Sequence, residues 1–156
     1  MTEIERKFLV EDAPPDLSSS PSSEIRQGYL AVDRDGTEVR VRSRDEAAVL
    51  TVKQGAGRSR AEEEMEIDRE TFERLWPLTE GRRVEKRRYV FPGAEGATIE
   101  VDVYEGALEG LVVAEVEFAD DDHADAFQPP AWFGREVTDD PGFKNQSLAR
   151  DGMPSG

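Results

Sequence analysis

The chain has 156 residues, enough for one domain with a sizeable core, and no cysteine, which excludes disulfides, thiolate metal sites and cysteine nucleophiles. Its 35 acidic residues against 20 basic ones give a formal charge of −15, which argues against a nucleic-acid partner held by phosphate neutralisation. Met1 leads straight into charged residues and no stretch approaches the roughly 20 apolar residues of a membrane helix, so no membrane partner and a cytoplasmic location are expected.

Alternation with period two dominates the chain, the mark of strands with two distinct faces. A first strand is predicted near 3–10, with Glu3, Glu5 and Lys7 on one face and Ile4 and Phe8 on the other. Residues 11–24, rich in Pro and Ser, read as a loop. A second strand near 25–31 leads through Asp35-Gly36, a hairpin signal, to a third near 38–44, where Arg40, Arg42 and Arg44 alternate with Val39 and Val41. Lys53 follows Thr51 on a fourth strand near 48–54, and Gly55-Ala56-Gly57 connects it to a fifth near 61–67, where Glu62, Glu64 and Glu66 share a face. Asp68 reads as the N-cap of a helix over 69–76, with Phe72, Leu75 and Trp76 docking on one side and Pro77 stopping it.

Three more strands are predicted, near 84–91 (Lys86 and Arg88 on one face), 98–105 (Glu100 and Asp102) and 112–119 (Glu115 and Glu117). A second short helix is predicted from Asp120 to Phe127, ended by Pro129-Pro130, and residues 151–156 read as a loose tail on a single domain of residues 1–150. Eight sequential strands with short links define an α+β fold, an antiparallel barrel with peripheral helices. Alternation alone leaves two arrangements open. Either the charged faces meet water and pair across strands, or they turn inward around a polar ligand while helices and loops cover the apolar faces.

The first strand favours the second arrangement. Glu3-Ile4-Glu5-Arg6-Lys7 fits E-x-E-x-K and resembles the signature of the CYTH superfamily, the triphosphate tunnel metalloenzymes. Companions stand in order along the chain: Arg40-Val41-Arg42, Lys53, Arg60, Glu62-Glu63-Glu64, Lys86-Arg87-Arg88, Glu100-Val101-Asp102 and Glu115-Val116-Glu117. Arg26-Gln27-Gly28-Tyr29-Leu30, Glu80 to Lys86, Trp132 to Thr138 and Phe143-Lys144-Asn145 resemble the short bacterial tripolyphosphatase branch, though that branch has Tyr in place of Phe143.

The resemblance implies a closed eight-stranded tunnel around a linear triphosphate, with Mg²⁺ or Mn²⁺ between carboxylates and phosphate. Arg forks and Lys point charges suit phosphate oxygens, and carboxylates need hard cations between themselves and phosphate. Carried over residue by residue, the metal ligands are Glu3, Glu5 and Glu117, with Asp102 and Glu115 as further ligands or their supports. The phosphate contacts are Lys7, Arg40, Arg42, Lys53, Arg60, Lys86 and Arg88, with Lys144 in the C-terminal match. Glu62 and Glu64 would orient water or extend the metal shell, and Lys7 with Tyr29 forms the implied catalytic pair.

The chain has 16 Arg and only four Lys, and three of those four fall on the motif strands. His123, alone in an acidic run, reads as an exposed residue at a helix start, and Trp76 and Trp132 as packing residues. The implied activity is metal-dependent hydrolysis of a triphosphate, inorganic tripolyphosphate first, by a monomer or homodimer. A class IV-type adenylate cyclase and a thiamine or nucleoside triphosphatase share the motif. A polyphosphate- or nucleotide-binding module without turnover is the non-enzyme alternative.

Overall fold

The computed structural model describes residues 4–14, 16–34, 36–55 and 61–154. In chain order these form β1 (Ile4–Val10), β2 (Ser22–Val32), β3 (Glu38–Arg44), β4 (Ala47–Gln54), β5 (Ala61–Ile67), α1 (Arg69–Leu75), β6 (Arg83–Pro92), β7 (Thr98–Glu105), β8 (Val112–Phe118), α2 (Asp121–Ala126), β9 (Phe133–Glu136) and α3 (Asn145–Asp151). No helix among these residues is long and apolar enough to cross a membrane.

The strands make one antiparallel sheet in the order β5-β4-β3-β2-β6-β7-β8-β1-β9. The antiparallel, barrel-like sheet with few peripheral helices expected from the sequence is borne out, but among the described residues it pairs as nine strands rather than eight, in an open order with β5 and β9 at its edges. Closure fails at β5, where Ala61 to Glu66 are all exposed and four are glutamates, a charged edge of the kind that resists further pairing. At the other end β9 is four residues long, and its irregular ladder with β1 registers at Phe8 and Val10. Asp35 and the Ala56-Gly57 part of the predicted connections lie outside the described residues. Gly36 does occupy the β2–β3 connection, with a φ of +92° that suits glycine.

Helix starts arise from side-chain caps. Asp68 accepts from the Thr71 N–H at 2.7 Å to open α1, and Asp120 accepts from the His123 N–H at 2.8 Å to open α2. Pro77 does not end the first helical stretch but sits in a tighter 3₁₀ turn, Trp76–Thr79, that continues it. β2 runs against that turn: a Cβ on Gly28 would lie 2.5 Å from Thr79 Oγ1, so the close approach requires glycine.

Packing sorts the two faces of the sheet. On the apolar face Val41 and Ala48 bury with Phe72 and Trp76, so α1 and its 3₁₀ extension cover β3 and β4. Val101, Ala114 and Val116 pack with Phe127, Trp132 and Phe133, which cover β7, β8 and β1. On the other face a third cluster joins Tyr29 of β2, Val84 of β6, Tyr104 of β7, Val113 of β8 and Leu9 of β1 to Phe143, Leu148 and Ala149. Five flat strands would spread over about 19 Å, whereas the seven-residue α3 is about 10 Å long. α3 packs on β2 and β6 and is bonded to β7, and the cluster it belongs to runs on to β8 and β1, so the sheet curves toward this face into a trough against which α3 packs.

Candidate active site

The pairing register carries one face across the whole sheet. Glu5 stands opposite Glu117 and Lys7 opposite Glu115; Glu115 faces Glu100, Asp102 faces Arg88, and Tyr104 faces Lys86. Beyond β6, Lys86 faces Ile25, Gln27 faces Arg42, Tyr29 faces Arg40, Arg40 faces Thr51, and Thr51 and Lys53 face Glu64 and Glu62. Side chains alternate along each strand, so all these residues share the trough face. Glu3 and Arg60 lie outside the described residues.

One wall is cationic. Arg40, Arg42 and Arg44 succeed each other on β3, and Arg88 lies two strands away on β6. Burial lowers the Arg42 pKa, and the charges of Arg40, Arg88 and Arg44 push it the same way against the pull of Glu64. A guanidinium so crowded by like charge calls for an anion. Glu62 and Glu64 stand beside this wall, opposite Lys53 and Thr51, and not among the carboxylates of β7, β8 and β1.

Those three strands carry the opposite wall, a row of carboxylates. Glu5–Glu117 and Glu100–Glu115 are like-charged cross-strand pairs, which repel. Burial raises the Glu100 pKa, and Glu115 and Glu117 add to that while Arg88 opposes it. Among the described residues no three carboxylates already converge as a metal cage. Mg²⁺, however, is usually held by one or two carboxylates together with substrate phosphates and water, and a pair such as Glu5–Glu117 fits that use.

Asp102 is differently engaged. It takes Arg88 in a fork at 2.8 and 2.9 Å and Lys86 Nζ at 2.8 Å, while Arg88 also reaches Glu100 at 2.8 Å. Burial tends to raise the Asp102 pKa, but the hydrogen bonds and charges of Arg88 and Lys86 win and hold it below the ordinary range. With both oxygens committed, Asp102 supports the two cations, and of the two roles the sequence left open this geometry favours that of support.

Lys7 and Tyr29 are consecutive in strand number but not in space, since β6, β7 and β8 lie between their strands. Each is linked to the C-terminal segment instead: Lys7 Nζ donates to the Phe143 carbonyl at 3.3 Å, and Tyr29 belongs to the cluster containing Phe143. The Tyr29 hydroxyl accepts from Gln27 Nε2 at 2.8 Å, and its pKa is raised by burial first and by Glu38 second. Lys144 is exposed at the start of α3, on no strand. Its neighbours touch the trough instead, with Tyr104 donating to Asn145 at 3.1 Å and Gln146 donating to Glu38 at 3.0 Å. Glu38 and Gln27 escaped the sequence reading, although both are in phase with Arg40, Arg42 and Tyr29; extending the alternation two residues back from Arg40 finds Glu38.

An inward-facing charged trough on a rolled antiparallel sheet is the CYTH arrangement, and the chain belongs to the CYTH domain family, matched over residues 1–149. Among its relatives, the inorganic triphosphatase of Nitrosomonas europaea is 49% identical over 150 residues, 96% of this chain and 97% of that one. The inorganic triphosphatase of Acetivibrio thermocellus is 44% identical over 152 residues, 96% of this chain and 94% of that one. A crystal structure of an inorganic triphosphatase, 44% identical, superposes with a TM-score of 0.86 over 99% of this chain and 98% of the other.

Proposed function

We propose that the chain hydrolyses the terminal phosphoanhydride of inorganic tripolyphosphate, releasing phosphate and pyrophosphate, with Mg²⁺ or Mn²⁺ as cofactor. The observation that carries this reading is the opposition of two walls in one trough, arginines whose mutual repulsion an anion would relieve and paired glutamates whose repulsion a cation would relieve. A triphosphate with a divalent cation satisfies both at once. Kinship with proteins named inorganic triphosphatases supports the same substrate.

In this reading Arg40, Arg42, Lys53 and Arg88 clamp the non-bridging oxygens, with Lys86 behind them as a buried charge. Arg60, outside the described residues, keeps the phosphate-binding role its motif implies. Glu5 and Glu117, with Glu115 beside them, would hold the metal, and Glu3, outside the described residues, keeps the ligand role its motif implies. A divalent cation there would polarise phosphoryl oxygens and offset charge that builds up as the anhydride breaks. Water adds to the terminal phosphorus, the bridging P–O bond breaks with its electron pair leaving on pyrophosphate, and the water proton passes to a base. Phosphoryl transfer of this kind depends mainly on positioning and charge neutralisation, which is what the trough supplies.

Phosphate release measured over tripolyphosphate, ATP, thiamine triphosphate and pyrophosphate, with Mg²⁺ and with EDTA, tests the reading. Tripolyphosphate should be cleaved fastest, pyrophosphate should accumulate, and EDTA should silence the enzyme reversibly. A preference for ATP with a cyclic product would replace the hydrolase by a cyclase. Binding of tripolyphosphate without turnover in any metal would leave a binding module.

The metal assignment has its own test. Glu117→Gln keeps the shape of the side chain and removes its charge, so kcat should fall by roughly 10² while the melting temperature holds or rises as repulsion from Glu5 is relieved. Retention of wild-type kcat across a Mg²⁺ titration would remove Glu117 from the metal site.

A further inference from the structure

Glu38 is a carboxylate set in the cationic wall, where its charge opposes phosphate binding. It is only 5% exposed. Its two oxygens are divided between two partners: Oε2 accepts from Arg40 Nη1 at 3.0 Å, two residues along the same strand face, and Oε1 accepts from Gln146 Nε2 at 3.0 Å, 108 residues away on α3. The direct cross-strand neighbour of Glu38 is another cation, Lys53 of β4. Left alone, a carboxylate between Arg40 and Lys53 has two competing partners of the same sign. The bond from Gln146 fixes one oxygen and so fixes which way the other points.

We propose that Gln146 and Glu38 are positioning residues for Arg40. Gln146, carried by α3, locks the Glu38 carboxylate toward Arg40 and away from Lys53, and Glu38 in turn holds the guanidinium over the trough. This rests on the reading of Arg40 as a phosphate contact. An arginine side chain has a large rotamer entropy, of about 2 kcal/mol, and holding it beforehand lowers what must be ordered when substrate arrives. The guanidinium has five N–H donors; Glu38 takes one and the Tyr29 hydroxyl another, so donors still remain for phosphate. Two further bonds seat the same stretch of chain, Lys7 to the Phe143 carbonyl and Tyr104 to Asn145, so α3 keeps its place when Gln146 is changed.

The experiment is steady-state kinetics with tripolyphosphate and Mg²⁺, paired with calorimetric binding of tripolyphosphate, on Gln146→Met, Glu38→Gln, Arg40→Ala and their combinations. Met keeps the length of Gln146 and lacks the donor. Gln146→Met should raise KM, and the calorimetric Kd, about tenfold with kcat within about twofold. Glu38→Gln should move KM the same way, and combining the two should add little. In the Arg40→Ala background Gln146→Met should change KM less than twofold. An unmoved KM and Kd in Gln146→Met, or a tenfold rise that persists without Arg40, overturns the inference while leaving the hydrolase intact. Absence of turnover in the wild type overturns the proposed function instead, and the Kd ratios then decide the positioning role. A wild type that neither binds nor cleaves tripolyphosphate overturns both.

Discussion

Replacing Asp102 by Asn is expected to lower folding stability by about 3–5 kcal/mol, because it strips a buried ammonium and a buried guanidinium of their shared counter-ion. Lys86 is 3% exposed and Asp102 4%, so water cannot take the carboxylate's place. For a domain of this size the loss corresponds to a fall in melting temperature of roughly 6–20 °C. Adding Lys86→Met should return part of the loss, since a buried methionine asks for no counter-ion while an unpaired lysine does. The pH dependence comes from the direction of the Asp102 shift. Its folded pKa lies below the ordinary value, so its contribution is complete above about pH 4 and fades as pH falls through the folded value. Wild type and Asn variant should therefore converge in acid. A loss under about 1 kcal/mol at neutral pH would show that the Lys86–Asp102–Arg88 cluster is not what holds β6 to β7.

The second large effect is expected at Lys7 and Tyr29. If they act as a pair on the attacking water, Tyr29→Phe, Lys7→Ala and Lys7→Arg should each lower kcat by roughly 10² or more, with KM near normal in the Phe variant. The setting of Tyr29 narrows its part. Burial and the nearby Glu38 raise the phenol's pKa, so in such a pair it would act as a hydrogen-bond donor that orients the water, and another group would take the water's proton. Gln27 and Arg40 both bond to the phenol oxygen as donors, which leaves the phenol's own proton as the one it could offer. Lys7 presents its ammonium to a backbone carbonyl, a partner that substrate oxygens can replace. Near-full kcat in both Lys7→Arg and Tyr29→Phe would reduce the pair to binding and packing, and Glu62 or Glu64 would become the better base.

The sequence made the strands legible because alternation is a local property. Eight of the nine strands were placed within a few residues, as was the helix capped by Asp68. β2 begins earlier than expected because Ser22 and Ser23 pair through their backbones with Tyr89 and Arg88, and polar side chains there leave no apolar trace. β9 and α3 were not legible for related reasons. Phe133–Glu136 contains one apolar side chain and Gly134, where a Cβ would lie 3.0 Å from the Leu9 carbonyl, so its pairing depends on smallness rather than pattern. Asn145–Asp151 is a single short helix that buries only Leu148 and Ala149, too few to define a period. Whether the sheet closes is a relation between its two ends, and no single strand encodes it. Phase on each strand shows which charged residues share a face, and the resemblance supplies their roles; the roles of Glu38 and Gln146 depend on a contact spanning 108 residues, for which the sequence holds no local sign.

The position of β1 between β8 and β9 governs when a working enzyme can first exist. Arg6 pairs with Glu136 across 130 residues, and Glu5 waits for Glu117. At about 5–20 residues per second, β1 leaves the ribosome on the order of ten seconds before the strands that flank it. Meanwhile β2 to β5 can form from sequential hairpins and build the cationic wall early. The carboxylate wall is assembled only when the chain is nearly complete, and non-local pairing of this kind is the slow part of folding. A nascent chain can thus attract polyanions before it can hold a metal against them, and catalysis arrives with the last strands.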